Sequence, residues 1–266
     1  MNNKYLINNL ISADTRICRY MELENFLQIL DGKFFVPRKT FFLDVRENGK
    51  IPLRSQFVFS IPNSQNDSTF LQNERNDYLN NLSKSKFLLT SCWTINSGED
   101  YLMWKGYASN IGVCVSTTID KLILSINFEK KRFLPICSPM FYTDTNFQTD
   151  FLETVFTKEK HYVSEKEIRF YFVPQNKILD IGKKEFDNNK IKELLLETSN
   201  TEENRYNQNR EMYIYHETFD INPNFIESVM LSPFIGRRSR HMIQDALVTK
   251  YSCLKNKIKV SQINEN

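Results

Sequence analysis

The order of its apolar segments constrains the fold of this chain more than any other feature. Strand-like and helix-like segments follow one another without the regular strand–helix–strand alternation that builds a doubly wound parallel sheet. Residues 87–95 and 112–118 are predicted to be strands, and residues 22–31 carry apolar side chains at helical spacing. The pattern therefore predicts an α+β protein in which residues 1–266 form one domain, with a mixed sheet and flanking helices.

Two polar stretches interrupt this pattern. The first covers residues 45–69 and contains the turn-forming runs ENGK and PNSQNDST. The second covers residues 199–210, SNTEENRYNQNR, and lacks the apolar residues that would bury it. Both stretches are predicted to be mobile inserts at the edge of the domain.

The charge balance limits the partners of the chain. There are 35 Lys and Arg residues against 32 Asp and Glu residues, which argues against duplex DNA binding through a broad basic face. One basic cluster, residues 237–241, favours either a solvated helix face or a phosphate contact. No stretch approaches the roughly 20 apolar residues of a membrane span, and no signal-peptide run is visible, so a cytoplasmic protein without a membrane partner is expected.

Several familiar sites are excluded by missing motifs. The seven glycines never occur at Gly-x-Gly spacing, which argues against a dinucleotide fingerprint or a P-loop. The five cysteines and three histidines are scattered, with no Cys-x-x-Cys and no His-Glu-x-x-His. We therefore expect free thiols and no metal site.

A pair of carboxylates is the first candidate for chemistry. Glu165 and Glu167 lie two residues apart on a predicted strand, residues 165–174, so alternation places both on one sheet face. Arg169 follows on the same face. The arrangement predicts either a buried salt-bridge ladder or an active-site pair whose pKa values are pushed apart.

Aromatic residues are the second candidate. Both tryptophans of the chain, Trp93 and Trp104, lie close together in sequence, and Tyr107 follows Trp104 by one helical turn. They are interpreted either as core packing or as a stacking wall for a base or a nicotinamide ring.

Four segments of the chain, taken in order, resemble a bacterial family whose members share a domain of unknown function. The segments are RYMELENFLQIL at 19–30, SCWTINSGEDYLMWKGYASNIGVCVS at 91–116, KEKHYVSEKEIRFYF at 158–172 and VMLSP at 229–233. Asp44 and Glu47 follow the first segment, where the sequence FFLDVRENGKIP departs from the family's Asn-Asp-Pro-x-x-Glu. The resemblance covers most of the chain and implies no activity by itself.

The Glu-x-Glu of residues 165–167 also resembles the last motif of ADP-ribosyltransferases. Those enzymes share a first-strand Arg or His, a middle strand with Ser-Thr-Ser or an aromatic residue, and a late-strand Glu or Glu-x-Glu. In this chain the three parts are matched in order by Arg19-Tyr20, Ser116-Thr117-Thr118 and Glu167. The resemblance implies an ADP-ribosyltransferase-like core and NAD as the substrate. Glu167 would be the catalytic carboxylate and Glu165 would orient the acceptor. The residues that would bind NAD or line its pocket are Arg19, Tyr20, Trp93, Trp104, Tyr107 and Ser116.

The resulting hypothesis is a bacterial effector, of a toxin or phage-defence type by resemblance only, that moves ADP-ribose from NAD to a protein, a nucleic acid or water. Two alternatives stay open. One is a binding or sensing module without chemistry, acting on a ligand, a nucleic acid or a partner protein. The other is a metal-dependent nuclease built on Asp120 and the Glu-x-Lys of Glu129 and Lys131.

Overall fold

The computed structural model describes residues 5–41, 65–95, 98–108, 111–128, 132–144, 150–175 and 186–263. Within these ranges the chain forms a mixed α+β structure, as predicted. The helices are α1 (Leu23–Leu30), α2 (Gln65–Ser85), α3 (Tyr101–Tyr107), α4 (Ile119–Ser125), α5 (Phe151–Phe156), α6 (Asn188–Gln208) and α7 (Arg237–Lys250). The sequence features that lie outside the described residues are Asp44, Glu47, Glu129, Lys131 and residues 45–64 of the first predicted insert.

A large sheet organises the structure. Its order is β1-β7-β10-β4-β2-β5-β12-β13. The bounds of these strands are β1 (Leu6–Ile7), β2 (Arg16–Glu22), β4 (Leu89–Thr94), β5 (Gly112–Thr118), β7 (Phe133–Pro139), β10 (Glu167–Pro174), β12 (Ser228–Leu231) and β13 (Ile258–Lys259). The outer pairs β1–β7 and β12–β13 are parallel, and the inner pairs are antiparallel.

Two smaller sheets accompany the large one. The first has the order β3-β11-β6, from β3 (Lys33–Pro37), β6 (Ile126–Asn127) and β11 (His216–Ile221). The second is a parallel pair of β8 (Phe141–Thr143) and β9 (Thr157–Glu159). This pair carries Tyr142 and Lys158 side by side, and both residues contact Glu167.

The middle of the large sheet contains a fork. Strand β2 pairs with β5 over its full length of seven residues, but it pairs with β4 only at Cys18 and Thr94. Beyond that pair β2 and β4 separate, and the end of β3 reaches β4 through a bridge between Arg38 and Leu89. Because a sheet that splits leaves space between its strands, the fork is where a cavity opens.

The main core lies on the face of the sheet that β3 and α1 cover. Helix α1 carries Phe26, Ile29 and Leu30 on one side, and all three are buried with Ile17 and Phe170 of the sheet. A one-face apolar pattern at helical spacing explains why the predicted helix forms here. A separate cluster on the opposite face includes Cys18, Tyr20, Trp104 and Cys114.

The second predicted insert is helical rather than irregular. Residues 199–208 continue α6, and Ser199 and Glu202 are buried. The Glu202 carboxylate accepts a hydrogen bond from Arg38 Nη2 at 2.7 Å and lies beside Arg205 Nη1 at 2.6 Å. Composition failed as a guide because long-range contacts hold this part of the helix, namely the ion pair of Glu202 with Arg38 and the packing of Tyr206 on Phe87.

The first predicted insert is also helical where it is described, since α2 begins at Gln65. No helix among the described ranges combines the length and the apolar character that crossing a membrane requires.

Candidate functional site

A cavity of about 630 Å³ lies in the fork between β2 and β4. This fork cavity has a size typical of small-molecule sites. Its wall combines the separated strands with α3 and with the 3-10 turn of residues 160–165. The lining residues are Arg19, Tyr20, Pro37, Thr90, Cys92, Trp93, Thr94, Asp100, Leu102, Met103, Gly106, Tyr107, Lys158, His161, Tyr162, Ser164, Glu165 and Glu167. Six of the eight predicted site residues are among them.

Glu167 lies at one end of the fork cavity and is the first residue of β10. Its backbone N–H donates to the Tyr142 hydroxyl at 2.7 Å, and its carbonyl accepts from the Met140 N–H at 2.9 Å, which pins the start of the strand. Its carboxylate accepts from Arg169 Nε at 2.5 Å and from Lys158 Nζ at 3.1 Å. The predicted shared face of Glu167 and Arg169 is therefore confirmed.

The carboxylate of Glu167 is ionised in this setting. Burial alone would raise the pKa of Glu167, but the positive charges of Arg169 and Lys158 outweigh burial and lower the pKa to about 2. Arg169 is itself buried, so each charge satisfies the other in a region that water barely reaches. Glu167 is thus a fixed negative charge with a small exposed fraction, 6%, at the cavity wall.

Glu165 does not lie on β10. It ends the 3-10 turn of residues 160–165, and Lys166 then takes a left-handed backbone conformation with a φ of 44°. The predicted strand is therefore too long by two residues at its start. The left-handed residue changes the chain direction, yet the Glu165 carboxylate still meets Lys158 Nζ at 2.6 Å and accepts from the Tyr107 hydroxyl at 2.9 Å.

Lys158 joins the two carboxylates, and sequence reasoning missed this role. Its side chain is buried, and its ammonium lies 4.4 Å from the centre of the Tyr162 ring. The parallel pairing of β8 and β9 places Lys158 beside Tyr142. Nothing in the local sequence indicates this pairing, because a lysine among charged residues is usually solvated.

Arg19 faces the fork cavity from the β2 side. Among the described residues it has no ion-pair partner, and its guanidinium makes one side-chain hydrogen bond, to Ser91 Oγ at 3.2 Å. Burial lowers the pKa of Arg19, although the group stays charged. Arg19 is half-buried and has no counter-charge among the described residues, so it is the lining cation best placed to meet an anionic ligand.

Arg19 and Glu167 approach this cavity from opposite sides of the sheet. Glu167 pairs with Thr94, and Thr94 pairs with Cys18, so these three side chains share a face. Arg19 is one residue further along β2 and belongs to the other face. Both side chains reach one cavity because the cavity passes through the gap between the strands.

The aromatic residues divide into two groups. Tyr20, Trp93 and Tyr107 line the fork cavity, and Trp93 is held by a hydrogen bond from Nε1 to Ser91 Oγ at 3.0 Å. Trp104 is fully buried, packs edge-to-face on Tyr20 and donates from Nε1 to Glu99 at 3.1 Å. Trp104 is therefore not among the lining residues of the fork cavity, because α3 turns this side chain into the core.

Ser116 lies away from the fork cavity. It lines a second cavity, also of about 630 Å³, on strands β2, β5, β12 and β13. We call this the edge cavity, and its lining residues are Arg16, Ile17, Cys18, Gly98, Glu99, Cys114, Ser116, Thr117, Lys121, Asn224, Phe225, Ile226, Glu227, Ser228, Met230, Lys257, Lys259, Val260 and Gln262. The structure therefore does not bring Ser116 together with Glu167.

The nuclease residues are only partly described. The Asp120 carboxylate accepts a hydrogen bond from the Tyr5 hydroxyl, and Glu129 and Lys131 lie outside the described residues. Within the described ranges no group of three or more His, Cys, Asp or Glu side chains is arranged to hold a metal ion.

The comparisons with known proteins add no assignment. No family model matches the chain, and neither the curated proteins nor the solved structures gave a significant match. The resemblances to the bacterial family and to ADP-ribosyltransferases therefore stay predictions, and the functional argument depends on the geometry of the fork cavity.

Proposed function

We propose that the protein consumes NAD in the fork cavity, breaking the bond between nicotinamide and ribose. One observation carries the proposal. The cavity is lined by Arg19, which has no ion-pair partner among the described residues, by the ionised carboxylate of Glu167 and by aromatic rings. NAD needs both charges, since its diphosphate is anionic and its ribose develops positive charge as nicotinamide leaves.

In this proposal each of the main lining residues has one role in binding or cleaving NAD. Arg19 pairs with the diphosphate, which supplies the counter-charge that the guanidinium lacks among the described residues. Glu167 lies near the ribose and stabilises its oxocarbenium character. Trp93 and Tyr107 flank the nicotinamide ring.

The bonds that break and form in this reaction balance without any further cofactor. The bond from the ribose anomeric carbon to the nicotinamide nitrogen breaks, and its electron pair leaves with neutral nicotinamide. A new bond forms from that carbon to an acceptor oxygen or nitrogen of a macromolecule, or to water. The acceptor's proton passes to solvent through Glu165, whose side chain is more exposed than that of Glu167.

A second candidate is a binding module without chemistry, and one observation favours it. The Glu167 carboxylate already accepts hydrogen bonds from Arg169 on both oxygens and from Lys158 on one of them. A carboxylate so occupied has little capacity left for a substrate. In that case Arg19 would still hold an anionic ligand, and no bond would break.

Release of nicotinamide from NAD by the purified chain tests the proposal directly. We expect turnover by the parent protein, and a strong loss with Arg19→Ala and with Glu165→Gln. Glu193→Gln and Arg238→Ala are matched controls, because both residues are exposed and neither lines the cavity. Absence of NAD turnover with water, protein extract and nucleic acid as acceptors, together with tight binding of NAD, would favour the binding module.

A further inference from the structure

The edge cavity is lined by residue types that bind anions, and the proposed NAD chemistry does not use this cavity. Its floor is one face of β2, β5, β12 and β13. Register places Cys18, Ser116 and Ser228 side by side across three strands, and Cys114, Met230 and Lys259 in the next row. All six line the cavity.

The floor presents two hydroxyl groups with free hydrogen-bonding capacity. Ser116 and Ser228 are directly opposite each other, and among the described residues neither side chain makes a hydrogen bond. Ser228 is only 7% exposed. Both hydroxyls are open to the cavity, so a polar ligand group there can hydrogen-bond to them without displacing a protein partner.

The rim presents positive charge above these hydroxyls. Arg16, Lys257 and Lys259 line the cavity and have no ion-pair partner within the described part of the chain. Lys121 is the fourth lining cation and pairs with Glu227. Arg16 lies on β2 and Lys259 on β13, whereas Lys121 lies on α4 and Lys257 in the turn before β13.

The carboxylates of the cavity do not cancel this charge. Glu227 is held by Lys121, and both oxygens of Glu99 are occupied, one by Trp104 Nε1 and the other by the backbone N–H of Gln262. Four cations against two carboxylates leave the lining with a net charge of +2. Hydroxyl donors beneath a cationic rim match the oxygens of a phosphate group.

We propose that the edge cavity binds a phosphate group, carried by a free nucleotide or by the backbone of a single-stranded nucleic acid. The phosphate oxygens accept hydrogen bonds from Ser116 and Ser228, and Lys257, Lys259 and Arg16 neutralise the charge. The remaining polar lining residues, such as Asn224 and Gln262, face the sugar or base.

Calorimetric titration with two probes, ADP and a short oligothymidylate, tests this site. We expect binding of at least one probe to weaken by about tenfold or more in Lys257→Ala/Lys259→Ala, the scale of lost charge-assisted hydrogen bonds. The same loss is expected in Ser116→Ala/Ser228→Ala, which leaves the net charge unchanged. Lys255→Ala and Ser239→Ala are exposed controls outside the lining and should bind like the parent.

The two probes separate the sources of the phosphate. ADP binding indicates a free nucleotide, whereas oligothymidylate binding that falls steeply with salt indicates a nucleic-acid backbone. Failure of the parent to bind either probe overturns the proposal, and so does an equal loss in Lys255→Ala. Binding that Arg19→Ala removes and the edge-cavity variants retain belongs to the fork cavity and also overturns it.

Discussion

Arg169 Nε donates to Glu167 Oε1 at 2.5 Å, and the two residues, both buried, are neighbours on one face of β10. Glu167 is therefore a member of a buried ion pair and also a lining residue of the fork cavity. Any substitution of Glu167 therefore changes stability and ligand chemistry together, and the two effects must be measured on the same sample.

Glu167→Gln is expected to lower both the stability of the protein and its turnover of NAD. Gln cannot neutralise Arg169 and Lys158, so the free energy of unfolding should fall by about 3–5 kcal/mol, as for other broken buried pairs. NAD turnover should fall by about 10²–10³-fold if the lost charge stabilises a cationic ribose. A thermal melt and a nicotinamide-release assay of the same preparation give the two numbers. Unchanged turnover per folded molecule would exclude Glu167 as the catalytic carboxylate.

The acid stability of the protein should depend on Glu167. Its pKa is lowered from 4.5 to about 2 in the folded state. A group with a depressed folded-state pKa contributes stability that is fully present above its unfolded pKa and is lost as the pH falls through the folded one. The parent should therefore lose an extra part of its unfolding free energy between about pH 4.5 and 2 that Glu167→Gln does not lose. Urea unfolding across that range measures the difference, and a constant difference between the two proteins would contradict the assignment.

Arg19→Ala should separate binding from folding. No ion pair is broken, because Arg19 has no carboxylate partner in the described chain, so the melting temperature should stay the same or rise. Affinity for NAD should fall by about tenfold or more, the scale of one lost charged hydrogen bond. Calorimetry with NAD provides the measurement, with Arg238→Ala as control. A strong loss of stability with unaltered affinity would show that Arg19 is structural.

The two tryptophans should respond differently to replacement by Phe. Trp104→Phe loses the hydrogen bond to Glu99 and part of the contact with Tyr20 in a fully buried site, and should cost about 1–3 kcal/mol of stability. Its effect on NAD affinity should be small. Trp93→Phe should alter NAD affinity, because Trp93 lines the fork cavity. The reverse pattern in paired melts and titrations would place the ligand beside Trp104.

The polar end of α6 should be part of the cooperative fold. Glu202→Ala leaves Arg38 buried without its carboxylate and should cost about 3–5 kcal/mol. Glu197→Ala, an exposed position on the same helix, should leave the melting temperature nearly unchanged. Amide hydrogen exchange should show protection at residues 199–206 in the parent, and rapid exchange there would contradict the buried pair.

The sequence alone determined the features that depend on near neighbours. Strand alternation predicted that Glu167 and Arg169 share a face, and the mixed order of strands and helices predicted the α+β class. These inferences succeed because they need only the repeat of a strand or helix over a few residues. The overestimated strand start at Glu165 shows the limit, since one left-handed residue, Lys166, ends the alternation.

Tertiary structure alone decided which residues meet. The fork exists because β2 keeps its pairing with β5 and leaves β4 after Cys18, and no local pattern reports where two distant strands separate. The same holds for Lys158, which reaches both glutamates through a parallel pair, and for Ser116, which faces a different cavity from Glu167. Such contacts depend on register between segments far apart in the chain, and local periodicity carries no information about that register.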